Sequence, residues 1–479
     1  MSKQIKDLTI YDEFELTGRW WIPENAHQIP GSIKYSSDGI TLKLLDNPKD
    51  PGNEPSFSDA YYPVLHGITE DGELITLCNG FIESCSTSNV ITVVLRFNQL
   101  IVGDHFNSLE DIKFHSVAVN YSSLEEWFNV HPFSRIPTDV HGQTTVSYEF
   151  PSTFKVYIQE KSTSIESSYI LTTSRELYKS HTFKQQASLK ITPDISMGLD
   201  WYIDMIHELQ DFLTVMTNQA IYPKKIVATG VFSTETFDPI GRERFSIFIL
   251  PQKMFEEQRL SDYKLQIKYK EIENNLESIL NNWFTDLSYS SRKIYLRNLY
   301  EKSIDRESKF LNYTKSLESF HRDTNKISGQ FIPDEVYLPI KKQMLDAIQQ
   351  GEVDAETFNN FKTKMASALK YAHHFGFERR IRDMFKDLDS RLKDVTFTDK
   401  LPEIKTFARN VTATRDYYTH YGDLPDFYFK ETDLYFVNIR LHTILYYYFC
   451  KNLGISDDII WSAVKNDFGL RYQLEVKKE

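Results

Sequence analysis

The hydrophobic period of this 479-residue chain changes once, and that change constrains the fold more than any single motif. Up to about residue 195, apolar and polar residues alternate in short runs bounded by Gly, Asn, Asp, Pro and Ser, the period of a strand with one buried face. The clearest runs are 18–22, 40–45, 73–78, 90–96, 112–119 and 154–158. After about residue 260 the period becomes 3.6 and hardly returns to two. Between these parts, residues 199–218 carry Trp201, Ile203, Met205, Ile206, Leu209, Phe212 and Leu213 at the spacing of an amphipathic helix. Strand-like runs return at 225–231 and 244–250, so this stretch stays with the N-terminal part.

Alternation of this kind suits a largely antiparallel sheet, sandwich or barrel, whereas successive helices with short connections make an antiparallel bundle. The expected helices are 268–284, 291–301, 333–350, 354–373, 378–393, 402–420, 431–452 and 456–465, separated by breaks such as Gly351, Gly376, Gly422 with Pro425, and Gly454. The expected fold is therefore α+β and multidomain. A mainly antiparallel β module with a few helices occupies residues 1–290, and an all-α bundle occupies 300–479. The boundary falls between 255 and 305, because 288–307 holds no proline or glycine to mark it. The length also exceeds one ordinary domain.

Charge and cysteine usage narrow the function. A formal net charge of −12 argues against sequence-blind duplex binding, whose affinity comes from cations neutralising phosphates. A local basic surface remains a candidate at Arg379, Arg380, Arg382, Lys386, Arg391 and Lys393. Interleaved Glu378, Asp383, Asp387, Asp389 and Asp394 also fit a solvated helix face held by pairs three or four residues apart. Cys78, Cys85 and Cys450 are too few for a disulfide framework and lack metal-ligand spacing, which fits a reducing compartment. The N-terminal segment has no apolar signal core, and the longest apolar run, 441–450, is interrupted by His442 and too short for a bilayer. A cytoplasmic protein with no membrane association, cofactor or metal is expected. His373-His374 with Glu378 resembles a metal-ligand group, but adjacent histidines on a helix point to different faces. Trp20-Trp21 fits one core and one exposed indole on a strand, or a platform for a stacked ligand. The Tyr446–Cys450 aromatic run fits core or dimer interface better than a base-stacking surface.

Three Arg-to-His pairs lie five or six residues apart. Arg135 to His141 contains Pro137 and reads as loop, and Arg175 to His181 joins two strand-like runs. Arg415 to His420 alone closes a helix, one that Pro402 starts, with Thr398 or Asp399 as cap, and that Gly422 in a left-handed conformation and Pro425 end. Ile404, Phe407, Ala408, Val411, Arg415 and Tyr418 form one stripe at about 100° per residue. A guanidinium on that stripe must be paired or face a wet cleft. Arg409, Thr412, Asp416 and His420 form a second face, with the Asp416 carboxylate one turn before the imidazole and in reach to orient it. Ideal geometry separates Arg415 and His420 by about 140°, so a distorted last turn or a second subunit must bring them together. An imidazole can move the 2′-hydroxyl or leaving-group proton of RNA and a guanidinium can steady phosphorane charge, with no metal required. The same residues also fit a structural role, with Arg415 paired to a buried carboxylate such as Asp433 and His420 serving as a C-cap.

Arg415-Asp416-Tyr417-Tyr418-Thr419-His420, closing a bundle helix, resembles the signature of HEPN ribonucleases. The aromatic helix that follows it resembles the Apea-like branch of that family. Gly18-Arg19-Trp20-Trp21-Ile22-Pro23, then 29–33 and 38–44, resemble the ApeA N-terminal domain, the usual partner of that branch. The resemblance implies a bacterial anti-phage, abortive-infection endoribonuclease that cuts RNA, with tRNA among the candidate substrates, once a phage-derived trigger is sensed. It implies Arg415 and His420 as the catalytic pair, Asp416 in support, a HEPN homodimer, and an N-terminal module that regulates. The alternative is a non-catalytic HEPN binding module with a ligand-recognising β domain.

Overall fold

The structure, a computed structural model, describes residues 4–25, 27–55, 60–87, 90–137, 141–231, 243–250, 260–301, 303–324, 329–397 and 400–475. It divides into two compact units, Met1–Ser261 with Lys268–Phe284, and Asp262–Ile267 with Thr285–Glu479. The chain thus crosses between units three times, at 261/262, 267/268 and 284/285.

In the first unit β1 (Phe14–Trp21), β2 (Ile29–Ser36), β3 (Gly39–Leu44), β4 (Tyr61–Thr69), β5 (Leu74–Ser86) and β6 (Thr92–Phe97) pair antiparallel in a closed ring. Long β5 closes it, pairing β4 along 74–81 and β6 along 81–86, with a register shift between Ile82 and Ser84. Across β2, β3 and β6 the register sets Ile33 opposite Leu42 and Leu42 opposite Leu95, all fully buried. Trp20 is buried and faces Gly67 across β1 and β4, where a Cβ would stand 2.2 Å from the indole. Trp21 is half-buried rather than exposed, edge-on to the stacked rings of His66 and His105.

The sheet continues from β5 into β7 (Gln99–Val102) and through β8 (Lys113–Tyr121), β11 (Lys155–Ile158), β12 (Thr163–Glu176), β13 (Ser180–Pro193), β15 (Pro223–Gly230) and β16 (Arg244–Ile249). The order outward is β7-β16-β15-β8-β13-β12-β11; β14 (Met197–Gly198) pairs β8, and β9 (Phe133–Ile136) with β10 (Thr145–Tyr148) forms a separate ribbon. Helix α1 (Leu124–Phe128) follows β8. Helix α2 (Leu199–Thr217) lies on β8, where Tyr202 donates its hydroxyl to Phe114 O at 3.0 Å and Tyr121 donates to Ile206 O at 2.9 Å. The period-two and period-3.6 parts are thus a mainly antiparallel β unit and a helical unit. The helix expected over 268–284 is broken into α3 (Tyr269–Ile272), a 3-10 turn and α4 (Leu276–Thr285), and up to Phe284 it belongs to the β unit. Its Trp283 is buried edge-on to Phe212.

The second unit contains α5 (Tyr289–Tyr300), α6 (Arg306–Thr324), α7 (Asp334–Asp346), α8 (Ala355–Ala368), α9 (Phe377–Lys386), α10 (Ser390–Thr396), α11 (Lys400–His420), α12 (Glu431–Asn452), α13 (Asp457–Asn466) and α14 (Phe468–Glu475). Helix α6, absent from the periodic division, packs against α5, α9, α11 and α12. Ser291 and Ser316 each donate a hydroxyl to the other's carbonyl, at 2.7 and 2.9 Å, so α5 and α6 meet through small polar residues. The single helix expected over 378–393 is two, because the Asp389 carboxylate accepts the Arg391 N–H and starts α10. Tyr446, Tyr447, Phe449 and Cys450 are buried, which makes that aromatic run core.

Candidate active site

Helix α11 carries Pro402 in its first turn; Thr398 and Asp399 lie outside the described residues. The left-handed residue at its end is Tyr421, with φ 47°, and not Gly422. The helical ladder persists one residue past His420, Tyr421 N–H donating to Tyr417 O at 2.6 Å, so the turn falls before the glycine. The chain then folds back, and Phe429 N–H donates to Thr414 Oγ1 at 2.8 Å.

Ile404, Phe407, Ala408, Val411 and Tyr418 are buried along one stripe, and Arg415 interrupts it with a side chain 28% exposed. Its Nη2 donates to Glu318 Oε2 on α6 at 2.8 Å, its Nη1 lies 3.4 Å from Asp416 Oδ1, and its guanidinium sits 4.9 Å from the Phe377 ring centre on α9. The guanidinium is therefore both paired and open to a cleft. Its interhelical partner is Glu318 and not Asp433. The second carboxylate oxygen of Glu318 accepts from Arg322, so one carboxylate bridges two guanidiniums.

A cavity of about 620 Å³ opens beside this bridge, lined in part by Glu318, Arg322, His374, Arg380 and Arg415. Arg380 is nearly fully buried, and its Nε donates to Phe375 O at 2.8 Å. Burial first and then the Arg322 charge lower its pKa, while Glu318 opposes them. His374 is also pushed down, by burial and then by His373 and Arg380.

His420 is exposed, and no hydrogen bond, ion pair or ring contact joins its side chain to another described residue. Asp416, which was expected to orient it, directs its carboxylate to Arg415. The cavity beside Arg415 is not lined by His420, so the two side chains stay apart around the helix, as their five-residue offset requires. The rival Arg175 and His181 face each other directly across the β12–β13 hairpin, both exposed. Arg135 is exposed on β9.

Glu318, Arg322, Arg380 and His374 were missed as neighbours of Arg415. Glu318 and Arg322 stand four residues apart, the spacing of an ion pair on one face of α6. The basic run at 379–393 is not one surface. Arg380 turns inward, Arg379 pairs with Asp383 at 2.8 Å, and Arg391 pairs with Asp389 and Asp458. His373 and His374 follow a 3-10 turn rather than lying within a helix, and their rings come within 4.3 Å. Their nearest carboxylate is Asp334 and not Glu378; the donor atoms of the three lie within 4.8 Å of one another. Asp334 Oδ1 and His373 Nε2 already satisfy each other at 2.7 Å, and Tyr337 stacks on His373, which accounts for the group as a clamp between α7 and the turn.

Among the described residues no helix is long and apolar enough to cross a membrane. No curated protein and no solved structure matches the chain significantly. The family model of the ApeA N-terminal domain 1 matches residues 15–283, more than half of the 479 residues, and that of the Apea-like HEPN domain matches residues 311–459, from α6 into α13. The chain therefore belongs to the ApeA family, its β unit an ApeA N-terminal domain and its helical unit an Apea-like HEPN domain.

Proposed function

We propose that this protein is a cytoplasmic endoribonuclease of anti-phage, abortive-infection defence, in which Arg415 and His420 cut RNA without a metal. The observation that carries this reading is the placement of both residues at the end of α11, inside the segment matched by the Apea-like HEPN domain. The exposed His420 imidazole takes the 2′-hydroxyl proton or returns one to the leaving 5′-oxygen. The Arg415 guanidinium, open to the cleft on one side, steadies the phosphorane charge. Because the nucleophile is the substrate's own hydroxyl, no metal-bound water has to be supplied. Asp416 acts on Arg415, its hydrogen-bonding partner, rather than on His420. Since the two side chains diverge around α11, a homodimer completes the site. tRNA is a candidate substrate, and the N-terminal unit holds the activity in check until a phage-derived trigger arrives.

The test is cleavage of tRNA and total RNA in chelator by wild type, Arg415→Ala and His420→Ala, with plaque assays on cells carrying each variant. Each substitution is expected to lower cleavage by about 10²-fold or more and to abolish protection. Equal cleavage by all three proteins removes the assignment.

One observation favours a second reading. Arg415 is already paired with Glu318, as a structural arginine would be. A non-catalytic HEPN binding module, with a ligand-recognising β unit, predicts that His420→Ala retains full protection.

A further inference from the structure

We propose that the cavity beside Arg415 binds a nucleoside phosphate, with the phosphate against Arg322, Arg380 and Arg415 and the base against the Tyr371 ring. Among the described residues three guanidiniums line this cavity and the only lining carboxylate is Glu318, which already bridges two of them. Cations gathered in a partly buried site repel one another unless an anion joins them. Burial and Arg322 already work against the charge of Arg380.

The walls are set for a phosphate in two further ways. Arg380 is fixed in advance by the Phe375 carbonyl, and Arg415 by its seat over Phe377, so little side-chain freedom is lost on binding. The ten-residue helix α9 begins at the cavity. Its N-cap Gly376 offers no side-chain cap to the first-turn N–H groups, and among the described residues no atom lies within 4 Å of where a Cβ would stand. Those N–H groups add to the guanidinium field.

The remaining chemistry selects a nucleoside over a bare anion. At about 620 Å³ the cavity falls in the range of roughly 300–1,000 Å³ typical of small-molecule sites and far exceeds a phosphate. Tyr371 is 61% exposed at its edge, a ring on which a base can stack. Such a ligand comes either from a residue of the RNA substrate or from a free nucleotide. The RNA source rests on the nuclease reading, since it places a nucleotide beside the phosphate at which Arg415 acts; the nucleoside-phosphate chemistry itself does not.

The experiment uses the full chain as wild type, Arg322→Ala and Tyr371→Ala, with unfolding midpoints confirming the fold. Arg322 is 60% exposed in its side chain, so its removal is expected to leave folding intact. The probes are inorganic phosphate, the four nucleoside 5′-monophosphates and a 2′-O-methyl RNA that cannot be cleaved. Wild type is expected to bind at least one mononucleotide about tenfold more tightly than phosphate. Arg322→Ala is expected to weaken phosphate and mononucleotide alike by about tenfold, and Tyr371→Ala to weaken the mononucleotide alone. Displacement of the 2′-O-methyl RNA by mononucleotide identifies RNA as the source, whereas simultaneous binding of both identifies a free nucleotide; either supports the pocket. Equal affinity for phosphate and every mononucleotide, or an Arg322→Ala variant that binds as wild type does, overturns it. Because binding is read without cleavage, a chain that binds through Arg322 and never cuts RNA keeps the pocket and loses the nuclease reading. A chain that cuts RNA yet binds mononucleotide independently of Arg322 does the reverse.

Discussion

Tyr421 leaves α11 in the left-handed region, at φ 47°, where a residue with a Cβ pays roughly 1–2 kcal/mol that glycine does not. Its ring is 69% exposed and touches Tyr417 and Tyr418 only edge-on, so removing it forfeits little. Tyr421→Gly is expected to stabilise the protein by about 0.5–1 kcal/mol, seen as a higher urea midpoint at unchanged slope; a lower midpoint would show that the ring contacts outweigh the strain. Glu318 makes a second residue-scale prediction. It bridges Arg415, 28% exposed, and Arg322, 60% exposed, and the drier pair is screened less. Double-mutant cycles are therefore expected to give a larger coupling for Glu318 with Arg415 than with Arg322, the latter under about 1 kcal/mol. Equal couplings would mean that solvent screens both. The positions of Arg415, Asp416 and His420 on α11 were legible because one helix carries them and its period fixes their faces, although Asp416 turns to Arg415 and not to His420. Glu318, Arg322, Arg380 and His374 were not, since three other segments supply them and only tertiary packing brings them together.

Helix α6 buries His321 in the helical unit, and α12 holds a half-buried His442 there. His321 and His442 are both pushed down to about 4, each mainly by burial; Arg380 adds to the shift at His321 against Asp383, and Lys309 adds to it at His442. Unfolded histidine titrates near 6.5. Between those values the unfolded chain binds protons that the folded unit refuses, so stability is full above about pH 6.5 and is lost as pH falls towards 4. Urea midpoints followed by circular dichroism at pH 7.5, 5.5 and 4.5 are expected to fall in that order. His442→Phe keeps the ring stacked on Tyr295 and should flatten the trend; midpoints that stay level in wild type would show that these rings are not held neutral. The same packing explains why the hydrophobic period does not mark α6. Phe310, Tyr313, Leu317 and Phe320 have helical spacing, but Thr314, Ser316 and His321 are buried with them, so the inward face is half polar. By contrast α2 and α11 keep mainly apolar stripes, and their spans followed closely from the period.

At the scale of the whole molecule, the proposed function makes the angle between Arg415 and His420 decide how many chains a site needs. One faces α6 and α9 while the other is exposed, and an α11 that stays helical through His420 gives no sign of a distorted last turn that would bring them together within one chain. The composite-site reading therefore ties activity to association. A site shared between two copies disappears when the copies separate, so activity per chain must follow the dimer fraction; a site within one chain is indifferent to dilution. Wild-type protein is accordingly expected to scatter light as a dimer at concentrations where it cuts RNA. Diluting it through the dimer-to-monomer transition should lower cleavage per chain in proportion to the loss of dimer mass, and mixing the Arg415→Ala and His420→Ala proteins should restore part of the cleavage that each lacks, because their mixed dimer keeps one site built from an unaltered Arg415 and an unaltered His420. Constant cleavage per chain across that transition, or a monomer that cuts RNA, would place the whole site in one chain and leave α11 to bring His420 back towards Arg415 by unwinding its own end.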